Sequence, residues 1–127
     1  VWPVSAFLAW FVARNKPLFE GKRVVELGAG CGLSGLIAHA CHASKTALTD
    51  GNEVVVRLLE KNVALQQPPE EQQQGQQGGG GVVEAHRLVW GEEGSLDRFQ
   101  ARFGDHTDVV LGADVVCWPL CVAPLLQ

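Results

Sequence analysis

The stretch Val24-Val25-Glu26-Leu27-Gly28-Ala29-Gly30-Cys31-Gly32 is the part of this chain best suited to chemistry. Apolar residues deliver the chain into a run in which every second residue is glycine. Glycine permits a tight backbone path and lets a ligand approach the main chain without meeting a Cβ. The apolar run 33–41 that follows reads as a helix. Its N-terminus would present free N–H groups and the positive end of its dipole to an anion, such as a phosphate or a carboxylate. Asp50 adds a second function. It ends a short apolar run about 20 residues beyond Gly30, where a carboxylate on a neighbouring parallel strand can accept hydrogen bonds from a ribose diol. Asp50 also opens the turn Asp50-Gly51-Asn52 and suits a helix cap, so both roles are open to it.

Two glycine registers overlap. Gly28-x-Gly30-x-Gly32 is the arrangement of S-adenosylmethionine enzymes, and Gly30-x-Gly32-x-x-Gly35 satisfies the dinucleotide fingerprint. Both cofactors carry a ribose, so Asp50 does not separate them. His39, Cys41 and His42 lie close in sequence, but adjacent helix positions do not share a face, and no metal site is expected there. The four cysteines (Cys31, Cys41, Cys117 and Cys121) show no CxxC spacing. Free thiols in a reducing, intracellular and cytoplasmic setting are expected.

The elements that must position these residues follow from periodicity. A helix is predicted over 3–15, with Pro3 in the first turn and Val4, Phe7, Leu8 and Phe11 on one face; Pro17 ends it. Strands are predicted over 22–27, 46–50, 82–89 and 108–113, the last apolar throughout as a central parallel strand should be. Helices are predicted over 33–41, over 53–65 with Val54 and Leu58 on its apolar side, and over 95–103 with Ser95 as cap. Residues 119–127 open another helix. The alternation of strand and helix points to a parallel α/β sheet. Residues 66–81 are a Gln/Gly-rich run with little to bury, expected to be a disordered surface loop.

The bulk numbers bound the rest. A length of 127 residues fits one domain, and 46% apolar residues support a packed interior. A net charge of −4 without clustered Lys or Arg argues against a nucleic-acid surface. The apolar run 1–12 is shorter than the about 20 residues a membrane span needs, and no membrane partner is expected. The chain has no Met, begins Val1-Trp2-Pro3 and stops inside an apolar run, which reads as a fragment, 1–127 being one domain incomplete at its C-terminus.

The order of the blocks is specific. Trp2-Pro3, the glycine motif through Leu33, Leu48-Thr49-Asp50, Leu88-Val89-Trp90-Gly91 and Leu111-Gly112-Ala113-Asp114-Val115-Val116 together resemble the family 16 methyltransferases, seven-strand (class I) protein-lysine methyltransferase-like proteins. The run Leu48-Thr49-Asp50-Gly51-Asn52-Glu53 is similar to the calmodulin-lysine methyltransferase branch. The resemblance implies a Rossmann-like, mainly parallel sheet truncated at its C-terminal side, with strands in the order 3-2-1-4 and an exposed apolar edge that makes the isolated chain poorly soluble. It implies S-adenosyl-L-methionine as cofactor and a protein lysine as substrate. It implies that Trp2 packs near the cofactor pocket, that Gly28, Ala29 and Gly30, with Gly32 completing the motif, line the methionine part, and that Asp50 holds the ribose. Trp90 would lie beside the adenine, Ala113 would approach with its backbone, Glu26 would hydrogen-bond inside the pocket, and Asp114 would face the methyl-transfer site. One position departs from the family: its Asp-x-x-Tyr reads Asp114-Val115-Val116-Cys117, and the chain has no tyrosine. That departure, together with the three further strands that the resemblance implies after this point, keeps a second reading open, a catalytically inactive cofactor-binding relative acting as an interaction module. A third, an NAD-dependent dehydrogenase, needs the shifted glycine register and leaves Trp90-Gly91 and Ala113-Asp114 unexplained. The residues do not define an oligomeric state.

Overall fold

The computed structural model describes residues 2–67, 80–116 and 119–126. Four strands, β1 (Arg23–Leu27), β2 (Lys45–Asp50), β3 (Val82–Arg87) and β4 (Val109–Gly112), form one sheet in the order β3-β2-β1-β4. All three pairings are parallel. The helices are α1 (Pro3–Arg14), α2 (Leu33–Ala40), α3 (Glu53–Ala64), α4 (Ser95–Phe103) and α5 (Pro119–Leu125), with a short 3₁₀ turn over Lys16–Leu18. The predicted α/β architecture, strand order and parallel pairing are those observed. Most of the predicted loop 66–81 lies outside the described residues.

Alternation along the strands sorts the core into two layers. Val24 and Leu111 face α1 and α2 together with Val12, Phe19 and Ala38. Leu48 and Val83 pack with Leu59 and Val63 of α3. On the opposite face, Val25, Ala47 and Leu88 meet Phe99 and Phe103 of α4. A fully buried Leu or Phe contributes about 1.5–3 kcal/mol, so these three clusters hold the strand ends in place.

Several local expectations are corrected by packing. Helix α1 buries Ala9 and Val12 and packs Leu8 against the core as predicted, whereas Val4, Phe7 and Phe11 are exposed. Small residues decide this: Ser5 and Ala9 of α1 and Ser34 and Ala38 of α2 allow close helix approach, and the Ser34 hydroxyl donates to the Ser5 carbonyl at 3.4 Å. In α3 the buried side is Val56, Leu59 and Val63, and Val54 and Leu58 are exposed. Strand β3 stops at Arg87, two residues early, although the Leu88 N–H still reaches the Asp50 carbonyl at 3.0 Å. Strand β4 is shorter than expected, and Val110, on the outermost strand of the described sheet, is 60% exposed. Ser95 is not the cap of α4. Gly94, at φ +73°, holds that position, and the Ser95 hydroxyl accepts the Val89 N–H at 2.9 Å.

Candidate functional site

Parallel pairing brings the carboxyl ends of β1, β2 and β4 side by side. Glu26 lies opposite Leu48, and Leu27 opposite Gly112. Chain leaving these ends must turn at one edge of the sheet, where ligands bind in open α/β folds. The turn after β1 takes Gly28 and Gly30 to φ +57° each, a region side chains disfavour. It is tied from several sides. The Ala29 N–H donates to the Thr49 carbonyl at 2.8 Å, and the Thr49 hydroxyl donates to the Glu26 carbonyl at 2.8 Å. The Asn62 amide of α3 donates to the Cys31 carbonyl at 2.8 Å.

Above the turn lies a cavity of about 680 Å³. Gly28, Ala29, Gly30 and Cys31 form its floor. Asp50 stands at the end of β2, and Val55 and Leu58 of α3 continue that wall. Trp90 and the run Ala113-Asp114-Val115 after β4 close the other side, with Trp2 just before α1, Ser5 from α1 and Cys121 from α5 at the margin. The sequence-predicted residues Trp2, Gly28, Ala29, Gly30, Asp50, Trp90, Ala113 and Asp114 therefore share one cavity. Asp50 is bonded within the protein on both oxygens: one accepts the Gly30 N–H at 3.3 Å and the other the Asn52 N–H at 2.9 Å. The Asn52 bond is the turn-opening role considered for it, and the carboxylate lines the cavity as well. Asn52, not Asp50, caps α3, accepting the Val54 N–H at 2.9 Å. Asp114 sits at φ +58°, an uncommon setting for a non-glycine residue.

Two predicted residues lie outside the cavity wall. Glu26 is 3% exposed and turns beneath the loop, where a carboxylate oxygen accepts the Gly35 N–H at 2.8 Å near the start of α2. Burial pushes its carboxyl up to about 7, against the opposing hydrogen bond from the Gly35 N–H. Gly32 is buried. A Cβ there would meet Leu48 at 2.8 Å and Leu59 at 2.9 Å, so its glycine serves close packing. The same Cβ on Gly30 would meet nothing within 4 Å, because that position opens onto the cavity. Alternating glycines in one motif thus answer to different constraints.

Ser5, Cys31, Val55, Leu58, Val115 and Cys121 line the cavity without having been singled out as site residues. Cys31 was legible as a member of the glycine motif. Val115 was legible as a member of the motif after β4; the others carry no local signal, since α1, α3 and α5 reach the cavity only through tertiary packing. Among the described residues, no three His, Cys, Asp or Glu side chains come together as metal ligands, and no helix is long and apolar enough to cross a membrane.

A model of the family described as lysine methyltransferase matches residues 1–127. The chain belongs to that lysine methyltransferase family. Among relatives of this family member, a protein N-lysine methyltransferase of Danio rerio is 36% identical over 127 residues, covering 100% of this chain and 51% of its own length. A calmodulin-lysine N-methyltransferase of Arabidopsis thaliana is 46% identical over 63 residues, 49% of this chain and 21% of that protein. The lysine methyltransferase-family chain thus spans about half the length of the first of these relatives, and its match to the second covers about a fifth. In fold it is similar to the O-methyltransferase from Bacillus cereus solved in complex with SAH, with a TM-score of 0.53 and 17% identity, over 91% of this chain and 46% of that one. Membership of this family removes the dehydrogenase reading.

Proposed function

We propose that this chain carries the cofactor-binding part of an S-adenosylmethionine-dependent methyltransferase whose acceptor is a protein lysine. The observation that carries the reading is the convergence of Gly30, Asp50, Trp90 and Ala113 on one cavity in a chain of the lysine methyltransferase family. The relatives named for protein-lysine methylation support the acceptor class.

The residues fit the cofactor. At Gly30 the floor is open where a Cβ would otherwise stand, which leaves room for a ligand at the main chain. Asp50 offers carboxylate acceptors to a ribose diol, and the indole of Trp90 offers a flat face to adenine. Gly28 lies beneath that indole, a Cβ there being 3.8 Å from the ring and 3.1 Å from Val115. When bound, the cofactor supplies a methyl group already activated by its sulfonium.

What remains for the protein is alignment and exclusion of water. A lysine ammonium has no lone pair and must shed its proton before it can accept a methyl group. Val115, Leu58 and Val55 give the cavity an apolar lining, and desolvation there favours the neutral amine. Asp114, the catalytic candidate, accepts a hydrogen bond from that amine and orients its lone pair toward the cavity. Trp2 and Ser5, at the start of α1, bound the entrance. Glu26 acts from below by holding Gly35, and so the start of α2, against the turn. Free thiols at Cys31, Cys41 and Cys121 accord with an intracellular, cytoplasmic setting.

Calorimetric titration with S-adenosylhomocysteine tests the cofactor, with NAD and Asp50→Ala as controls, and transfer of labelled methyl groups to an acid-stable product on lysine tests the acceptor. Binding that NAD does not reproduce and Asp50→Ala weakens is the expected result. A folded chain that ignores S-adenosylhomocysteine would overturn the reading. Binding without any protein methylation, in a chain with Cys117 where the family carries tyrosine, would favour the interaction-module reading instead.

A further inference from the structure

Cys31 and Cys121 belong to distant parts of the chain, the glycine turn after β1 and helix α5, yet they line the same cavity. Both are free thiols and both are partly exposed. Cys41 is their opposite: it is 4% exposed and packed in the core beneath α1 with Val12 and Phe19. Thiols sealed in apolar surroundings are inert, whereas thiols that a reagent can reach are open to alkylation and disulfide exchange. Among the described residues, the structure thus separates the silent Cys41 from Cys31 and Cys121, which the cavity admits to solvent.

The setting of Cys31 is specific. Its carbonyl is held by Asn62 at 2.8 Å, and the preceding Gly30 N–H reaches Asp50 at 3.3 Å. With its backbone held and one rotatable side-chain bond, the thiol has little freedom to leave the cavity floor. Beside it is the open space above Gly30, where a Cβ would touch nothing within 4 Å. Cys121 also borders an adjoining recess of about 300 Å³ that it shares with Gly28, Asp50 and Trp90. A group attached to either sulfur would therefore occupy volume next to residues assigned above to the cofactor.

We propose that Cys31 and Cys121 form a thiol-modification site within the cavity, open to soft electrophiles and small disulfides, and that modification and cofactor binding exclude each other. The exclusion rests on the cofactor reading of the cavity; the accessibility of the thiols does not. With a small disulfide such as glutathione disulfide, the cysteine thiolate attacks one sulfur, a new S–S bond forms and the original one breaks. The cysteine is oxidised, the reagent is reduced, and the departing thiolate takes up the proton that the cysteine lost. A reducing thiol runs the same exchange backwards and restores the site.

The experiment is time-resolved labelling of the full chain with N-ethylmaleimide, read at each cysteine by peptide mass spectrometry, with and without saturating S-adenosylhomocysteine. Expected are alkylation of Cys31 and Cys121 at least about tenfold faster than of Cys41, and slowing of both by at least about tenfold with the ligand. Glutathione disulfide should add to the same two residues and abolish calorimetric binding of S-adenosylhomocysteine, and treatment with dithiothreitol should restore that binding. Labelling of Cys31 and Cys121 as slow as that of Cys41 would overturn the proposal. So would fast labelling that the ligand leaves unchanged while calorimetry records its binding. A native chain that gives no calorimetric binding at all would sink the cofactor reading and the exclusion with it, whereas the rate contrast with Cys41 would still decide accessibility by itself.

Discussion

The side-chain amide of Asn62, on α3, donates to the carbonyl of Cys31 in the glycine turn at 2.8 Å, joining a helix to the floor of the cavity across 31 residues of sequence. The bond is partly buried, and it fixes a carbonyl between two glycines whose backbones offer little resistance to rearrangement. Asn62→Ala should cost about 1 kcal/mol of stability, the usual net worth of such a bond. A looser turn should also bind S-adenosylhomocysteine about tenfold more weakly. Thermal melts and calorimetry separate the two effects; unchanged affinity would show that Asn62 serves the fold alone.

Asp50 meets the turn through the Gly30 N–H and meets Asn52 on its other oxygen. Asp50→Ala removes both bonds and the proposed ribose acceptor. A hydrogen bond to a charged group is worth about 1.5–3 kcal/mol, so affinity for S-adenosylhomocysteine should fall by about 10-fold to 100-fold. The cooperative melt should survive. An affinity equal to that of the wild type would exclude Asp50 from the site.

Gly30 and Gly32 should respond differently to a methyl group. Gly32→Ala forces a Cβ against Leu48 and Leu59 at 2.8 and 2.9 Å, at a residue whose φ is +81°. Overpacking of about 1–3 kcal/mol adds to a left-handed strain of about 1–2 kcal/mol, a destabilisation of about 2–5 kcal/mol in all. Gly30→Ala meets no atom, so it should cost only the left-handed strain of about 1–2 kcal/mol while placing its Cβ in the cavity. Denaturant unfolding should therefore report mainly on Gly32, and ligand titration mainly on Gly30.

Glu26 should make stability depend on pH. Its carboxyl titrates near 4.5 in the unfolded chain and about 7 when folded, chiefly because burial penalises the charge. Between those values the folded state keeps a proton that the unfolded state has lost. Stability should fall as pH rises through this window, by about 3 kcal/mol in total, and level off above it. Glu26→Gln retains a carbonyl for the Gly35 N–H and should flatten the slope. Urea unfolding at pH 5 and pH 8 measures it; an equal slope in both proteins would assign the dependence elsewhere.

Val110 is 60% exposed on β4, at the end of the described sheet, where apolar side chains and unpaired backbone groups invite pairing with another copy. Val110→Lys should reduce concentration-dependent association of this chain in sedimentation experiments while leaving its circular dichroism unchanged. Identical association in both proteins would place the sticky surface elsewhere, for which the exposed Phe7 and Trp10 of α1 are the next test.

Local patterns in the sequence determined the element order, the glycine turn and the position of Asp50. A strand, a glycine run and a helix are each specified by neighbouring residues, and Leu48-Thr49-Asp50 ends its strand through the turn residues Gly51 and Asn52 that follow. The family motifs extended that reading to Trp90, Ala113 and Asp114, which no periodicity would have selected. Tertiary structure decided the rest. Periodicity marks a face of α1 as apolar but not as buried, and the smaller Ser5 and Ala9 won the contact with α2 because only they allow close approach. Glu26 lies in the glycine motif yet points away from the cavity, since successive side chains on a strand face opposite sides of the sheet and α2 offered it the Gly35 N–H. The Ser95 hydroxyl went to Val89 rather than to its own helix. Cys31 and Cys121 face one cavity although 90 positions separate them. Contacts of this kind depend on distances between elements, which are set by the packed sheet and its helices and leave no trace in the local order of residues.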